Sequence, residues 1–299
     1  MSDELRIERR PVLRRPALVC AFRGWNDGGQ GASLAGSYLA RAWGAEKFAE
    51  IDPEQFFDFQ AVRPHISFAE GSSRRIDWPE NGFFVAAMPS SAPRDVALLL
   101  GTEPNLRWRS FCGLVTGFAK ELGVELLVTL GSLLADVPHT RPAPVTGSAT
   151  DPDLIRRLGL QPSRYEGPTG IVGALHDACR AASIPSLSLW AAVPHYVSMT
   201  PSPRAAKALS DRLAALLEIP LDTTELGEAA DAYIQQVSEA VAADAETAAY
   251  VDELEQRVDE LMDETDLPSG ESLAAELTRF LREREQDEDG GPARGGPAS

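Results

Sequence analysis

Residues 165–197 read YEGPTGIVGALHDACRAASIPSLSLWAAVPHYV and contain a turn, a helix and a strand in direct succession. The Gly-Pro-Thr-Gly turn places Thr169 as the N-cap of a helix that is expected to run to about Ala182. Residues 187–193 are apolar at consecutive positions, which is typical of a strand covered on both faces. His195 then ends the strand with a polar side chain. This order predicts one unit of an α/β sheet.

Further strand patterns precede this unit in the chain. Residues 17–22 form an apolar run that is followed by a glycine-rich turn and a helical pattern, residues 47–51 and 83–87 are further strands, and residues 125–130 form a second buried-strand pattern. Helical patterns also cover residues 106–122 and 202–217, whereas residues 52–79 are interpreted as an irregular or hairpin insertion. We therefore predict an α/β fold, a three-layer sandwich with a mostly parallel sheet.

Ligands of open α/β sheets bind off the carboxyl ends of the strands and at helix N-termini. Polar and aromatic side chains at these places define a candidate ligand or surface site made of Trp25, Asn26, Asp27, Asp136, His139, Thr169 and His195. Asp136 and His139 could pair as a base and an orienting group. Asp27 and Asn26 could hold a ligand, but Asx residues in tight turns usually bond their own backbone.

The motifs of the common enzyme classes are missing from the sequence. The glycine-rich loop lacks the lysine of a P-loop, no GxSxG or HExxH spacing is present, and the chain has three lysines in all. An ATP-binding ligase would need lysines from its strands and clustered carboxylates. We expect no metal and no cofactor, the catalytic residues stay unknown, and a non-enzymatic role is favoured.

The negative charge is concentrated at the C-terminal end. Residues 1–220 carry 23 basic and 23 acidic side chains, whereas residues 221–289 carry 4 basic and 22 acidic ones. An acidic surface of this kind repels nucleic acid and anionic membranes. With no secretory pattern in residues 1–16 and the three cysteines in apolar segments, we expect a cytoplasmic protein.

Four regions are predicted along the chain. They are an N-terminal segment (1–16), the α/β core (17–220), a helical appendage (221–285) and a disordered tail (286–299). In the appendage, apolar residues at steps of three and four predict one long acidic helix from about Glu225. The spacing has one exception, a step of seven that skips Asp244. A short second helix over 271–284 would complete an acidic helical hairpin, which packs either on its own body or on a neighbour.

Four separated segments resemble one known family. They are FRGWNDGG (22–29), LGSLLADVPHTRP (130–142), GPTGI (167–171) and SLWAAVPHYV (188–197), and together they are similar to the proteasome assembly chaperone 2 family, in particular its actinobacterial members. The resemblance implies a phosphorylase/hydrolase-like α/β core and a homo-oligomer, with a trimer favoured. Similar proteins have also been labelled as ATP-grasp or carboxylate-amine ligases, a label that these residues do not support.

Two classes of function follow from the resemblance and the residues. The first is a non-enzymatic oligomeric chaperone that assists assembly of, or binds, the 20S proteasome through its α-subunits. The C-terminal docking motif of archaeal relatives is absent from the final residues GGPAS, so binding through the globular surface is the expected route. The second class is a small-molecule binder or enzyme that uses the strand-end cleft for a nucleoside or phosphate ligand.

Overall fold

A computed structural model describes residues 4–68, 74–149, 151–162, 165–197 and 200–263. The strands of this part of the chain are β1 (Leu5–Ile7), β2 (Ala17–Arg23), β3 (Glu46–Ile51), β4 (His65–Phe68), β5 (Arg74–Asp77), β6 (Asn81–Ala86), β7 (Val96–Thr102), β8 (Leu126–Ala135), β9 (Val145–Ala149), β10 (Gln161–Pro162) and β11 (Ser186–Pro194). The α-helices are α1 (Gly31–Ala42), α2 (Trp108–Glu121), α3 (Pro152–Leu158), α4 (Ile171–Ala181), α5 (Pro203–Leu217), α6 (Thr224–Ala242) and α7 (Ala245–Asp263).

The main sheet has nine strands in the order β1-β3-β6-β7-β2-β8-β11-β9-β10. The predicted parallel arrangement holds for the four central strands β7, β2, β8 and β11, whereas β1, β3, β6 and β9 pair antiparallel. Parallel strands need a crossover connection, usually a helix. Residues 52–95 have no α-helix in their described part, so β3, β6 and β7 follow one another as antiparallel neighbours and the sheet is mixed.

Helices cover both faces of the sheet, which confirms the α/β class. Alternate residues of β2 point to opposite sides: Ala17, Val19 and Ala21 pack with α1 and α5, and Leu18 and Cys20 pack with α2 and α4. This two-sided burial explains why the central strands are apolar at consecutive positions. All three cysteines are buried in the layer between the sheet and the helices α2 and α4.

Most of the predicted elements are present. Helix α4 ends at Ala181 and strand β11 spans the predicted apolar run. The insertion after β3 carries the small two-stranded hairpin β4–β5. The central strand β7 and the edge strands β1, β9 and β10 were not predicted, although residues 96–100 are as continuously apolar as β11.

The prediction of one long C-terminal helix is wrong, because α6 and α7 are separate helices. Asp244 lies between them, and its carboxylate accepts hydrogen bonds from the amides of Glu246 (3.0 Å) and Thr247 (3.2 Å). An aspartate in this position caps a new helix. It therefore starts α7 just after α6 ends. The expected second helix (271–284) and the tail (286–299) lie outside the described residues.

Both C-terminal helices pack on the body of the same chain. Leu226, Ala230, Tyr233 and Val237 of α6 are buried at helical spacing, and α6 lies against α5. Val251 and Leu254 of α7 are also buried. None of the helices that the structure describes is both long and apolar enough to span a bilayer.

A buried histidine links α4 to the central sheet. The His176 ring bonds the Thr129 hydroxyl of β8 and the Ser186 hydroxyl of β11, each at 2.9 Å. Burial lowers the pKa of His176 to about 4. The ring is therefore neutral in the folded protein at neutral pH.

This lowered pKa makes stability depend on pH. Below an ordinary histidine pKa of about 6.5, the unfolded chain binds a proton that the folded protein does not, so stability falls as the pH drops from about 6.5 towards 4. We expect His176→Gln to remove about 2 kcal/mol of the loss between about pH 7.5 and pH 5, measured by urea unfolding. The exposed His65→Gln variant is the control and should keep the wild-type pH dependence. An unchanged pH dependence in His176→Gln would contradict the prediction.

Candidate functional site

The loops after β2 and β8 and the end of β11 lie together at the carboxyl edge of the parallel strands. The Ser132 amide donates to the Asn26 carbonyl at 3.0 Å, and the His195 amide donates to the Ala135 carbonyl at 3.2 Å. The predicted site residues nevertheless fall into two groups. Trp25, Asn26, Asp27 and Thr169 surround the N-termini of α1 and α4, whereas Asp136, His139 and His195 lie beneath α6 and α7.

Asp27 acts on the N-terminus of α1. Its Oδ1 accepts hydrogen bonds from the amides of Ala32 (2.9 Å) and Ser33 (3.1 Å), and the Ser132 hydroxyl lies 3.4 Å away. A carboxylate at a helix N-terminus satisfies amides that have no partner within the helix and interacts favourably with the helix dipole. Asp27 therefore bonds the chain's own backbone, as is usual for Asx residues in tight turns.

Glu103 performs the same task for α4, a role that no sequence motif indicates. One carboxylate oxygen accepts from the Ile171 amide at 2.7 Å and the other from the Trp25 amide at 3.0 Å. The prediction that Thr169 caps this helix is wrong. Gly170 is the N-cap residue and makes no side-chain bond, and the Thr169 hydroxyl faces the Gly170 carbonyl at 3.4 Å.

The two N-termini meet around Asn26. A Cβ atom on Gly170 would lie 2.3 Å from the Asn26 amide nitrogen, so this close approach requires glycine. Asn26 and Asp27 are both buried. Asn26 Nδ2 and Asp27 Oδ2 have no hydrogen-bond partner among the described residues. Trp25 in the same loop is largely exposed.

The second group begins with Asp136, His195 and Tyr250 of α7. His195 Nδ1 lies 3.1 Å from Asp136 Oδ1, and the rings of His195 and Tyr250 are 5.6 Å apart in an edge-to-face arrangement. Burial and the neighbouring Asp136 carboxylate raise the pKa of Tyr250 to about 12. The predicted pairing of Asp136 with His139 is not found, because Asp136 faces His195 instead.

His139 is buried and is held from both sides. Its Nδ1 and its backbone amide both contact the Tyr196 hydroxyl at 2.8 Å, and its Nε2 contacts the Ser238 hydroxyl of α6 at 3.0 Å. Burial, with a further contribution from Arg204, lowers the pKa of His139. The neutral ring therefore connects the end of β11 to α6.

The loop after His139 fastens α7 to the body. Arg141 donates from Nε and Nη2 to both carboxylate oxygens of Asp259, at 2.8 and 2.6 Å, and lies 3.6 Å from Glu255. The Thr140 hydroxyl donates to Glu255. A planar guanidinium bonded at two points fixes both distance and orientation. These contacts hold α7 over the strand ends.

Little space remains beneath these helices. The void lined by His139, Arg141, Arg204 and Tyr233 has a volume of about 10 Å³. A space of this size holds at most about one water molecule. In the part of the chain that the structure describes, no group of three or more His, Cys, Asp or Glu side chains is placed to hold a metal ion.

The geometry of Glu103 can be tested directly. Glu103→Ala removes the acceptor of two amides, so we expect the free energy of unfolding to fall by about 1–3 kcal/mol and hydrogen exchange at the Trp25 and Ile171 amides to accelerate. Glu166→Ala removes an exposed carboxylate close to the same helix and is the matched control. Equal stability of the two variants in urea unfolding would show that Glu103 has no such role.

Comparisons with known proteins agree with this architecture. A PAC2 family protein from Streptomyces avermitilis is 49% identical, with 79% of this chain and 99% of that chain covered and a TM-score of 0.74. A proteasome-assembly chaperone homologue from Mycobacterium tuberculosis is 44% identical over the same shares, with a TM-score of 0.71. A protein of unknown function from that organism is 30% identical, with 88% and 93% covered and a TM-score of 0.78.

No curated protein matches this chain. The family model described as PAC2 family matches residues 21–241, which end within α6, so α7 lies beyond the matched region. The resemblance carried by the four sequence segments is thereby confirmed. The chain belongs to the PAC2 family.

Proposed function

We propose that this protein is a non-enzymatic, self-associating PAC2 protein that assists assembly of the 20S proteasome or binds it through the α-subunits. The 44% identical relative that is described as a proteasome-assembly chaperone homologue supports the proteasome as the partner. This role places the protein in the cytoplasm. A homotrimer is the favoured oligomer, and residues 17–220 form the core to which the acidic C-terminal helices are added.

One observation carries the non-enzymatic part of the proposal. The helix N-termini that would bind an anionic substrate in an α/β enzyme are already occupied by carboxylates of this chain, Asp27 at α1 and Glu103 at α4. A phosphate group at either place would meet a carboxylate instead of free amides. The same two contacts serve a rigid scaffold well, because they join loops and helices on both faces of the sheet.

The surface above the strand ends supports binding to another protein. Helices α6 and α7 cover the polar side chains that could line a cleft. The outer side of α7 carries the exposed carboxylates of Asp252, Glu253 and Glu260. Such a surface steers association with a basic partner surface.

A small-molecule role, as a binder or as an enzyme for a nucleoside or phosphate ligand, is the second candidate. It is favoured by the two buried polar atoms without described partners, Asn26 Nδ2 and Asp27 Oδ2, because native proteins leave few such atoms. A ligand that accepts from the amide and donates to the carboxylate would satisfy both atoms. Such a ligand would raise the melting temperature of the protein.

The chaperone role predicts capture of proteasome α-subunits from the same organism. The full-length protein on a solid support should retain purified α-subunits at low salt. Reversing two charges on α7, in Glu253→Lys with Glu260→Lys, should weaken retention by about tenfold because the acidic surface steers and holds the partner. Binding is measured as the dissociation constant at a series of salt concentrations.

The control changes the same amount of charge elsewhere. Glu54→Lys with Glu166→Lys reverses two exposed carboxylates away from α7 and should bind like the wild-type protein. Failure of the wild-type protein to retain α-subunits at low salt would refute the proposal. Equal weakening in both double variants would show that overall charge, and not the surface of α7, is responsible.

A further inference from the structure

The hairpin β4–β5 has one face made mostly of large apolar side chains. Ile66 and Phe68 alternate along β4, and Ile76 lies opposite Ile66 across the hairpin. Trp78 continues the alternation after β5 and packs edge-to-face on Phe59, with ring centroids 4.8 Å apart. We call Ile66, Phe68, Ile76 and Trp78 the hairpin face. Side chains on one face of a strand recur at every second residue, which is what these four positions do.

Charged side chains lie on the opposite side of the hairpin. His65 and Arg75 occupy the alternate positions, and Arg75 forms an ion pair with Asp77 at 2.6 Å. Arg74 lies opposite Phe68 across the hairpin and so belongs to the hairpin face, with its guanidinium carbon 5.9 Å from the centre of the Phe68 ring. Covering the four apolar side chains would remove apolar surface from water, while Arg74 stacks on the Phe68 ring.

The hairpin face is exposed to an unusual degree. The exposed fractions are 63% for Ile66, 73% for Phe68, 51% for Ile76 and 49% for Trp78. A contiguous exposed apolar patch marks an interaction site, and a two-stranded hairpin is only marginally stable in water on its own. Both points indicate that another surface covers these side chains when the protein functions.

The four side chains supply about half of the area of a standard subunit interface. At these exposed fractions the four side chains present about 400–500 Å² per copy, which is about half of a standard interface of roughly 800 Å² per partner. Permanent interfaces between identical chains are more apolar than transient ones.

The best complement to this face within the described chain is the same face on another copy. The remaining exposed large apolar side chains of the described residues are Val12, Trp25, Leu106 and Leu134, which come from separate loops and strand ends and not from one face. A second copy supplies an equally apolar surface. Packing like faces around a symmetry axis also produces a closed assembly.

We infer that the hairpin face is the self-association interface of this protein, where it packs against the hairpin faces of neighbouring copies. This inference rests on the self-association within the proposed function and names the surface that carries it. The strands β4 and β5 form a two-stranded sheet that is separate from the nine-stranded sheet. The acidic surface of α7 stays available for the proteasome partner.

The test compares two double variants of the full-length protein on the two faces of the same strands. Phe68→Ser with Ile76→Ser should weaken self-association by about tenfold or more, because each removes an apolar side chain from the contact. His65→Ser with Arg75→Ser changes the opposite face and should leave association unchanged. Molecular mass is measured by sedimentation velocity over a dilution series, and the melting temperature of each variant verifies that it is folded.

A second measurement uses the unchanged protein. Backbone amides of β4 and β5 should exchange slowly in the concentrated, associated protein and faster on dilution to the monomer. A wild-type protein that is monomeric at every concentration, or an apolar-face variant that keeps the wild-type mass, would overturn the inference. Capture of α-subunits is a separate readout: its failure with intact oligomers would refute only the proteasome role.

Discussion

The backbone amides at the N-termini of α1 and α4 need acceptors, and this chain supplies both from its own carboxylates. Asp27 bonds two amides of α1, and Glu103 joins the first amide of α4 to the loop after β2. The two helices lie on opposite faces of the sheet. These contacts therefore fix the loop between the layers and fill the places where an α/β enzyme would bind an anion.

The polar side chains at the other strand ends serve a similar structural purpose. Aspartate, histidine and arginine after buried strands are the residue types of many catalytic sites, so their presence alone does not distinguish catalysis from structure. His139 bonds Tyr196 and Ser238, and Arg141 bonds Asp259 at two points, so each group is engaged in holding α6 or α7 over the sheet.

The sequence predicts what depends on neighbouring residues. The strand β11, helix α4 and the buried character of β2 follow from local periodicity, and they were found where the pattern indicated. Strand β7 has the same apolar pattern and directly precedes α2, so its local signal was present although it was not predicted. Glu103 bonds Ile171, which is 68 positions away in the chain, and Trp25, which is 78 positions away. Contacts over such distances leave no local signal in the sequence. Asp244 did leave a local signal, because the apolar stripe has a gap at this residue. Its carboxylate caps α7, so the predicted single helix is divided in two.

The distribution of polarity in the folded chain argues for association as the main function. Of the acidic residues on α7, Glu255 and Asp259 pair with Arg141, whereas Asp252, Glu253 and Glu260 face water. The hairpin instead concentrates apolar side chains on a face that the described residues leave exposed. One surface is suited to a charged partner and the other to an apolar one, so the two contacts can form at the same time without competing for the same residues.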